Sequence, residues 1–184
     1  MKIGTKTVLF GVHCFFIHWF FVMISWWRLY GFPKDYRLWA AFFIHDLGYF
    51  GKPNLDSAEG ELHPIVAAEI MHKLFDKPDS DYWYNFAKYH SRFLAKRDNM
   101  SYSPLCCADK LAIWMTPRWF YLIQANLSGE IHEYMKGQGA RTPAGQRTQW
   151  QWLTDVQNYC KAWAIEHKEI KEDLWTGTKR DLIE

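Results

Sequence analysis

The chain has 184 residues, enough for one domain with a core that folds unaided. A formal charge of +2, from 22 basic and 20 acidic residues, excludes a bulk electrostatic attraction to a nucleic acid duplex. Hydrophobic residues make up 49% and aromatic ones 18%, with eleven tryptophans, an ordinary globular share that is rich in side chains able to stack.

The stretch 7–27 runs for 21 residues without Lys, Arg, Asp or Glu. That is long enough to cross a bilayer as a helix, so hydropathy alone leaves a membrane anchor and a buried core helix both open. Lys2 and Lys6 before the run, Arg28 after it, and Trp26-Trp27 near its end suit an anchor. A cleaved secretion signal is not expected, because Trp26-Trp27-Arg28 offers no small-residue cleavage site. His13 and His18 favour the core helix, since imidazoles at bilayer depth are costly without partners.

Apolar residues recur at helical spacing through the chain, with no period-2 strands. The first helix is expected over about 7–30, ended by Gly31-Phe32-Pro33, and a second over about 35–46. Residues 47–62 hold Gly, Pro53, Asn54 and Asp56 and read as an ordered loop. "HPIVAAEIMHKLF", 63–75, is an amphipathic helix with Pro64 in its first turn. Further helices are expected over about 81–96, from Ser103-Pro104 with Ser as N-cap, and over about 118–136. An exposed loop over 137–145 and a last helix over about 146–174 follow. In "GEIHEYM", 129–135, a glycine between two helices followed by first-turn acids reads as structural. The expectation is one all-α domain, a helical bundle over 1–184, with a motif-bearing core at about 7–116 and a helical extension at about 117–184. Cys14, Cys106, Cys107 and Cys160 have no C-x-x-C spacing, which predicts reduced, buried thiols and a cytoplasmic setting.

The chemistry concentrates on His45-Asp46 at the end of a strongly apolar helix. A buried carboxylate beside a buried imidazole needs a proton, a counter-charge or a metal. His18, His63, His90 and Asp109 stand at intervals of 27 (18 to 45), 17 (46 to 63), 27 (63 to 90) and 19 (90 to 109) residues. Each interval is about one helix plus a turn, so successive helices can each direct one ligand to a shared centre. Imidazole with carboxylate suits Mn, Fe, Co, Ni or Zn, as one or two ions, better than an all-oxygen Ca site. His13 is a rival to His18, while His72, among charged neighbours, reads as solvated.

"AAFFIHDLGY" resembles the signature of the HD superfamily of metal-dependent hydrolases, named for the His-Asp doublet. His18 in "HWFFV" matches the family's first ligand, His45 and Asp46 the doublet, and Asp109 in "LCCADKLA" the closing Asp. His63 in "ELHPIVAAEIM" and His90 in "AKYHSRF" resemble the two extra histidines of the subset that holds two metals. That subset includes cyclic-dinucleotide phosphodiesterases of HD-GYP type and mixed-valent di-iron oxygenases. The likeness covers about 13–115 and implies a helical bundle of HD-domain type. It also implies Asp46 bridging two ions, with His18, His45 and Asp109 on one and His63 and His90 on the other.

The resemblance implies hydrolysis by a metal-activated water. The expected substrate is a nucleotide or related small phosphate ester, with no nucleic acid duplex and no membrane as partner. The family often carries Lys three residues after the doublet's Asp; here that position is Tyr49, and Lys52 is the nearest substitute. Lys52, Arg92, Lys96, Arg97 and Lys110 are candidates to hold phosphate. Glu61 and Glu59 are candidates for general acid or water orientation, so the catalytic set reads Asp46, Lys52 and Glu61. Tyr49, Phe50, Tyr89 and Phe93 are available to stack on a base. Two other functions stay open: an HD-type di-iron oxygenase with the same ligands, and a non-enzymatic membrane-anchored or nucleotide-sensing module.

Overall fold

The computed structural model describes residues 1–55, 57–78, 80–136, 141–142 and 145–169. Among these, eleven α-helices and one 3-10 turn dominate, with a single two-residue antiparallel pair, β1 (Arg141–Thr142) and β2 (Gly145–Gln146).

The apolar N-terminal run forms two helices rather than one, α1 (Ile3–Phe10) and α2 (His18–Tyr30). Distant side chains interrupt it. Glu130 accepts the Val12 N–H at 2.8 Å, and Gln124 Nε2 donates to the Gly11 carbonyl at 2.8 Å. These bonds satisfy backbone groups that a continuous helix would have paired internally. Among the described residues no helix is long and apolar enough to cross a membrane.

α3 (Tyr36–Ile44) starts at Asp35, whose carboxylate accepts the Arg37 N–H at 2.9 Å, and stops just before His45-Asp46. The expected loop over 47–62 contains a 3-10 turn (Leu47–Tyr49) and the short α4 (Ala58–Glu61), capped by Ser57. α5 (Pro64–Phe75) follows with Pro64 in its first turn. The helix expected over 81–96 is broken into α6 (Tyr82–Lys88) and α7 (Arg92–Arg97). Ser91 caps α7 by accepting the Leu94 N–H at 3.3 Å, and His90 stands in the break. α8 (Pro104–Met115) begins after Ser103, whose hydroxyl makes no capping bond.

The segment expected as one helix over 118–136 divides into α9 (Arg118–Ser128) and α10 (Ile131–Tyr134). Gly129 sits between them at φ +87°, a left-handed conformation that side chains rarely adopt, and the turn buries Glu130 completely. α11 (Gln149–His167) opens with a reciprocal Thr148/Gln151 capping box. Residues 137–140, 143–144 and 170–184 lie outside the described residues, and with them parts of the expected loop and last helix.

α2 and α11 both pack on α8, α5 packs on α6, and α1 packs on α9. Fully buried alanines line the first contact zone: Ala67 and Ala68 of α5, Ala87 of α6, Ala108 and Ala112 of α8, around Phe42 and Met71. Small side chains let these backbones come close, so residues at the helix ends converge. The C-terminal elements share the same interior. Trp163 and Ala164 of α11 pack with Cys106, Cys107 and Leu111 of α8, and Trp152 and Leu153 pack with Val12 and Tyr121. All four cysteines are buried and free.

Candidate metal centre

Six side chains meet, five of them where these elements end. His18 opens α2, His45 and Asp46 follow α3, His63 precedes α5, His90 lies between α6 and α7, and Asp109 projects from α8. The glycine of "HDLG" brings the doublet to His63: a Cβ on Gly48 would overlap the His63 carbonyl, so only glycine allows that approach. Tyr49 then stacks on the His63 ring at 3.7 Å and 17°.

The donors form two groups that share Asp46. In the first, Asp46 Oδ2 is 3.4 Å from His18 Nε2 and 3.0 Å from His45 Nε2, while Asp109 Oδ1 is 3.0 and 3.7 Å from the same two nitrogens. In the second, Asp46 Oδ1 is 3.4 Å from His63 Nε2 and 3.6 Å from His90 Nε2. Ligands about 2.1 Å from one ion lie roughly 3 to 4 Å from each other, which is the spacing found in both groups.

The imidazoles are oriented from behind. Nδ1 of His45 donates to the Phe42 carbonyl at 2.9 Å, that of His63 to Gly60 at 2.8 Å, and that of His90 to Ala87 at 2.6 Å. Each bond places the ring proton on Nδ1 and turns the Nε2 lone pair inward, the arrangement that metal-ligating histidines need. His63 and His90 then face each other Nε2 to Nε2 at 3.2 Å, two lone pairs that require a cation or proton between them.

Charge points the same way. Burial opposes ionisation of Asp46 and Asp109, yet His45 and His13 hold Asp46, and Lys110, His18 and His45 hold Asp109, well below the ordinary carboxylate range. Burial also opposes a charge on His45, but the two carboxylates outweigh it and raise its pKa to about 10, so without an ion its Nε2 holds a proton that a bound metal would displace. Burial, with His90 adding to it, pushes His63 down to about 4 against the pull of Asp46, so it is neutral at pH 7 and ready to ligate. His45 Nε2 and Asp46 Oδ2 are buried without a hydrogen bond; their 3.0 Å approach is misaligned for one. Orphaned polar atoms at a convergent carboxylate–imidazole cluster are what a metal ion would satisfy, and the residues fit it.

A cavity of about 360 Å³ opens on Asp46, His18, His63, His90 and Asp109. Arg92, Lys110, Tyr49, Glu61 and Phe93 also line it, whereas Lys52 and Lys96 stand off its wall. Lys52 is tied down through its backbone, which pairs with Gly4 and Tyr49. Arg92 lies 4.5 Å over the Trp163 ring and donates to the Tyr159 hydroxyl at 3.0 Å. Lys110 Nζ is 3.4 Å from Asp109 Oδ2, which keeps the half-buried ammonium charged. Arg97 pairs instead with Asp98 at 2.7 Å.

Sequence reasoning missed the far wall, built from Val12, Tyr121, Tyr134, Trp152 and Val156. It also missed the long-range role of Glu130, which reads locally as a structural first-turn acid after Gly129. His13 lines the cavity but belongs to neither donor group. The exposed His72 lies 3.2 Å from Asp76, whose carboxylate caps α6 by accepting the N–H groups of Trp83 and Tyr84. No family model, no curated protein and no solved structure matches this chain.

Proposed function

We propose that the chain is a metal-dependent phosphohydrolase of HD type, acting on a nucleotide or related small phosphate ester. The observation that carries the reading is Asp46 presenting one oxygen to each of two histidine groups, beside a cavity walled by Arg92 and Lys110. A bound divalent transition metal supplies a water nucleophile at neutral pH and Lewis acidity toward a phosphoryl oxygen.

The chain's own residues do the rest. His18, His45, Asp46 and Asp109 would hold one ion, and Asp46, His63 and His90 a second. Arg92, braced by Trp163 and Tyr159, and Lys110, braced by Asp109, bind and orient the phosphate oxygens. Glu61 on the cavity wall accepts a hydrogen bond from the attacking water and orients it. The wall of Tyr121, Tyr134, Trp152 and Val156 receives the organic part of the ester and excludes bulk water.

The same ligands serve a di-iron oxygenase of HD type. The paired cations on the cavity wall favour the phosphate ester. The test is metal analysis of protein purified without chelators, with a panel of nucleotides and simple phosphate esters, on wild type and Asp46→Asn. Wild type should retain a transition metal and release phosphate, and the variant should lose both. A wild type that carries no such metal, and gains no activity from Mn²⁺ or Fe²⁺, removes the hydrolase reading. Oxygen consumption with a mixed-valent iron signal would assign the oxygenase instead.

A further inference from the structure

Both sides of α2 are apolar, although only one of them packs. His18, Val22 and Ser25 turn inward and are buried, and Trp19, Phe21, Met23 and Trp26 pack on the core. Phe20, Ile24 and Trp27, at i, i+4 and i+7, form the opposite face. Phe20 is 44% exposed and Trp27 54%, where a surface helix ordinarily carries polar side chains. Phe16, in the turn before α2, and Phe32, in the turn after it, are exposed as well. Phe32 packs edge-on against Trp27, with ring centroids 5.5 Å apart. Single exposed apolar side chains are common, but a row of them along one helix marks an interaction surface.

The charges beside this face point to what covers it. Residues 1–34 contain Lys2, Lys6, Arg28 and Lys34 and no Asp or Glu. Arg28, next to Trp27, lies 5.6 Å over the Trp114 ring of α8, and Lys161 Nζ of α11 lies 4.2 Å over the same ring. With Lys168 they line a cavity of about 190 Å³ whose other described walls are apolar. Lys168 has Glu169 at 3.9 Å, but no acid is among the described residues that line the cavity. A second copy docked by the same face would set these cations against themselves across the twofold axis. We propose that the outer face of α2 rests on an anionic phospholipid bilayer. Phe20, Ile24 and Trp27 enter the acyl boundary, and Arg28, Lys34 and Lys161 meet the headgroup phosphates. With 13 residues α2 is roughly 20 Å long, short of the ~30 Å hydrocarbon core, so it lies in the surface and does not cross it. The proposal is independent of the phosphohydrolase reading.

Vesicle sedimentation of the full chain tests this, with pure phosphatidylcholine and with an equimolar mixture of phosphatidylcholine and phosphatidylglycerol. Wild type should partition onto the mixed vesicles about 10-fold or more in excess of the neutral ones, and high salt should erase most of that difference. Phe20→Ser combined with Trp27→Ser should weaken binding to the mixed vesicles by about 30-fold or more. Arg28→Gln and Lys161→Gln should each weaken it by about three- to tenfold, with no change on phosphatidylcholine. The substituted side chains are exposed or half-buried, and the two charge variants remove no core contact, so loss of fold does not imitate the result. A wild type that stays in the supernatant with both vesicles, or a double variant that binds as wild type does, overturns the proposal. A lipid-free dimer that Phe20→Ser with Trp27→Ser converts to monomer, with no vesicle binding, assigns the face to a second copy instead.

Discussion

Glu130 gives the sharpest test of how the fold is held together. Its carboxylate accepts from the Val12 N–H at 2.8 Å and from the hydroxyls of Thr7 at 2.9 Å, Ser128 at 2.6 Å and Tyr134 at 3.1 Å. A hydrogen bond to a charged group is worth about 1.5–3 kcal/mol, and bonds to one acceptor do not add fully. Removing the carboxylate also relieves its own desolvation. Glu130→Ala should therefore cost about 4 kcal/mol, and Glu130→Gln, which keeps one accepting oxygen, about half that. Urea unfolding followed by circular dichroism at pH 7, with chelator present to remove metal linkage, measures both. The pH dependence has a definite sign. Burial opposes the charge, but His13, Ser128 and the Val12 N–H lower the Glu130 pKa below its ordinary 4.5. Its contribution is thus complete above pH 4.5 and fades as pH falls through the lower folded value, so the gap between wild type and Glu130→Ala closes on acidification. A gap under about 1 kcal/mol at pH 7, or one that widens in acid, would refute the reasoning.

Three further outcomes are expected. Gly48→Ala, which sets a Cβ against the His63 carbonyl, should destabilise by about 3 kcal/mol and lower Tm by roughly 6–12 °C; an unchanged melting curve contradicts the close approach. Mn²⁺ at a hundred times its dissociation constant should stabilise the chelator-treated protein by about 2.7 kcal/mol in calorimetry, and Asp46→Asn should abolish the shift. An equal shift in both proteins would place the ion elsewhere. Arg92→Ala should raise KM for phosphate esters, and the inhibition constant of inorganic phosphate, by about 10- to 100-fold with little change in kcat; unchanged constants would take Arg92 out of phosphate binding.

Much of the candidate centre is legible in the chain because metal ligands are few in type and five of the six fall at helix ends, with Asp109 mid-helix in α8. The six donor residues stand out as His or Asp against apolar surroundings, and Pro64 and Pro104 mark where two of the carrying helices begin. The cations were harder to sort. Lys52, Lys96, Arg92 and Lys110 are equally near the ligands in sequence, and only Arg92 and Lys110 line the cavity. Proximity along a chain does not say which way a side chain leaves its helix. The break at His90 was hidden because "YWYNFAKYHSRFLAK" keeps helical periodicity through the point where Ser91 starts a new cap.

Local pattern by itself determined the helical class, about half of the helix starts and the identity of the metal-type donors, since apolar periodicity and capping act within a few residues. Tertiary structure decided where the first helix stops. The bond between Val12 and Glu130 spans 118 residues and leaves no trace in either neighbourhood, yet it divides a run long enough to cross a bilayer and frees His18 to open α2 at the centre. The same contact fixes Thr7 and His13 beside the cavity, and packing of α9 and α11 supplies its apolar wall. Burial of a carboxylate against backbone donors is a property of the folded interior, where water no longer competes for those groups.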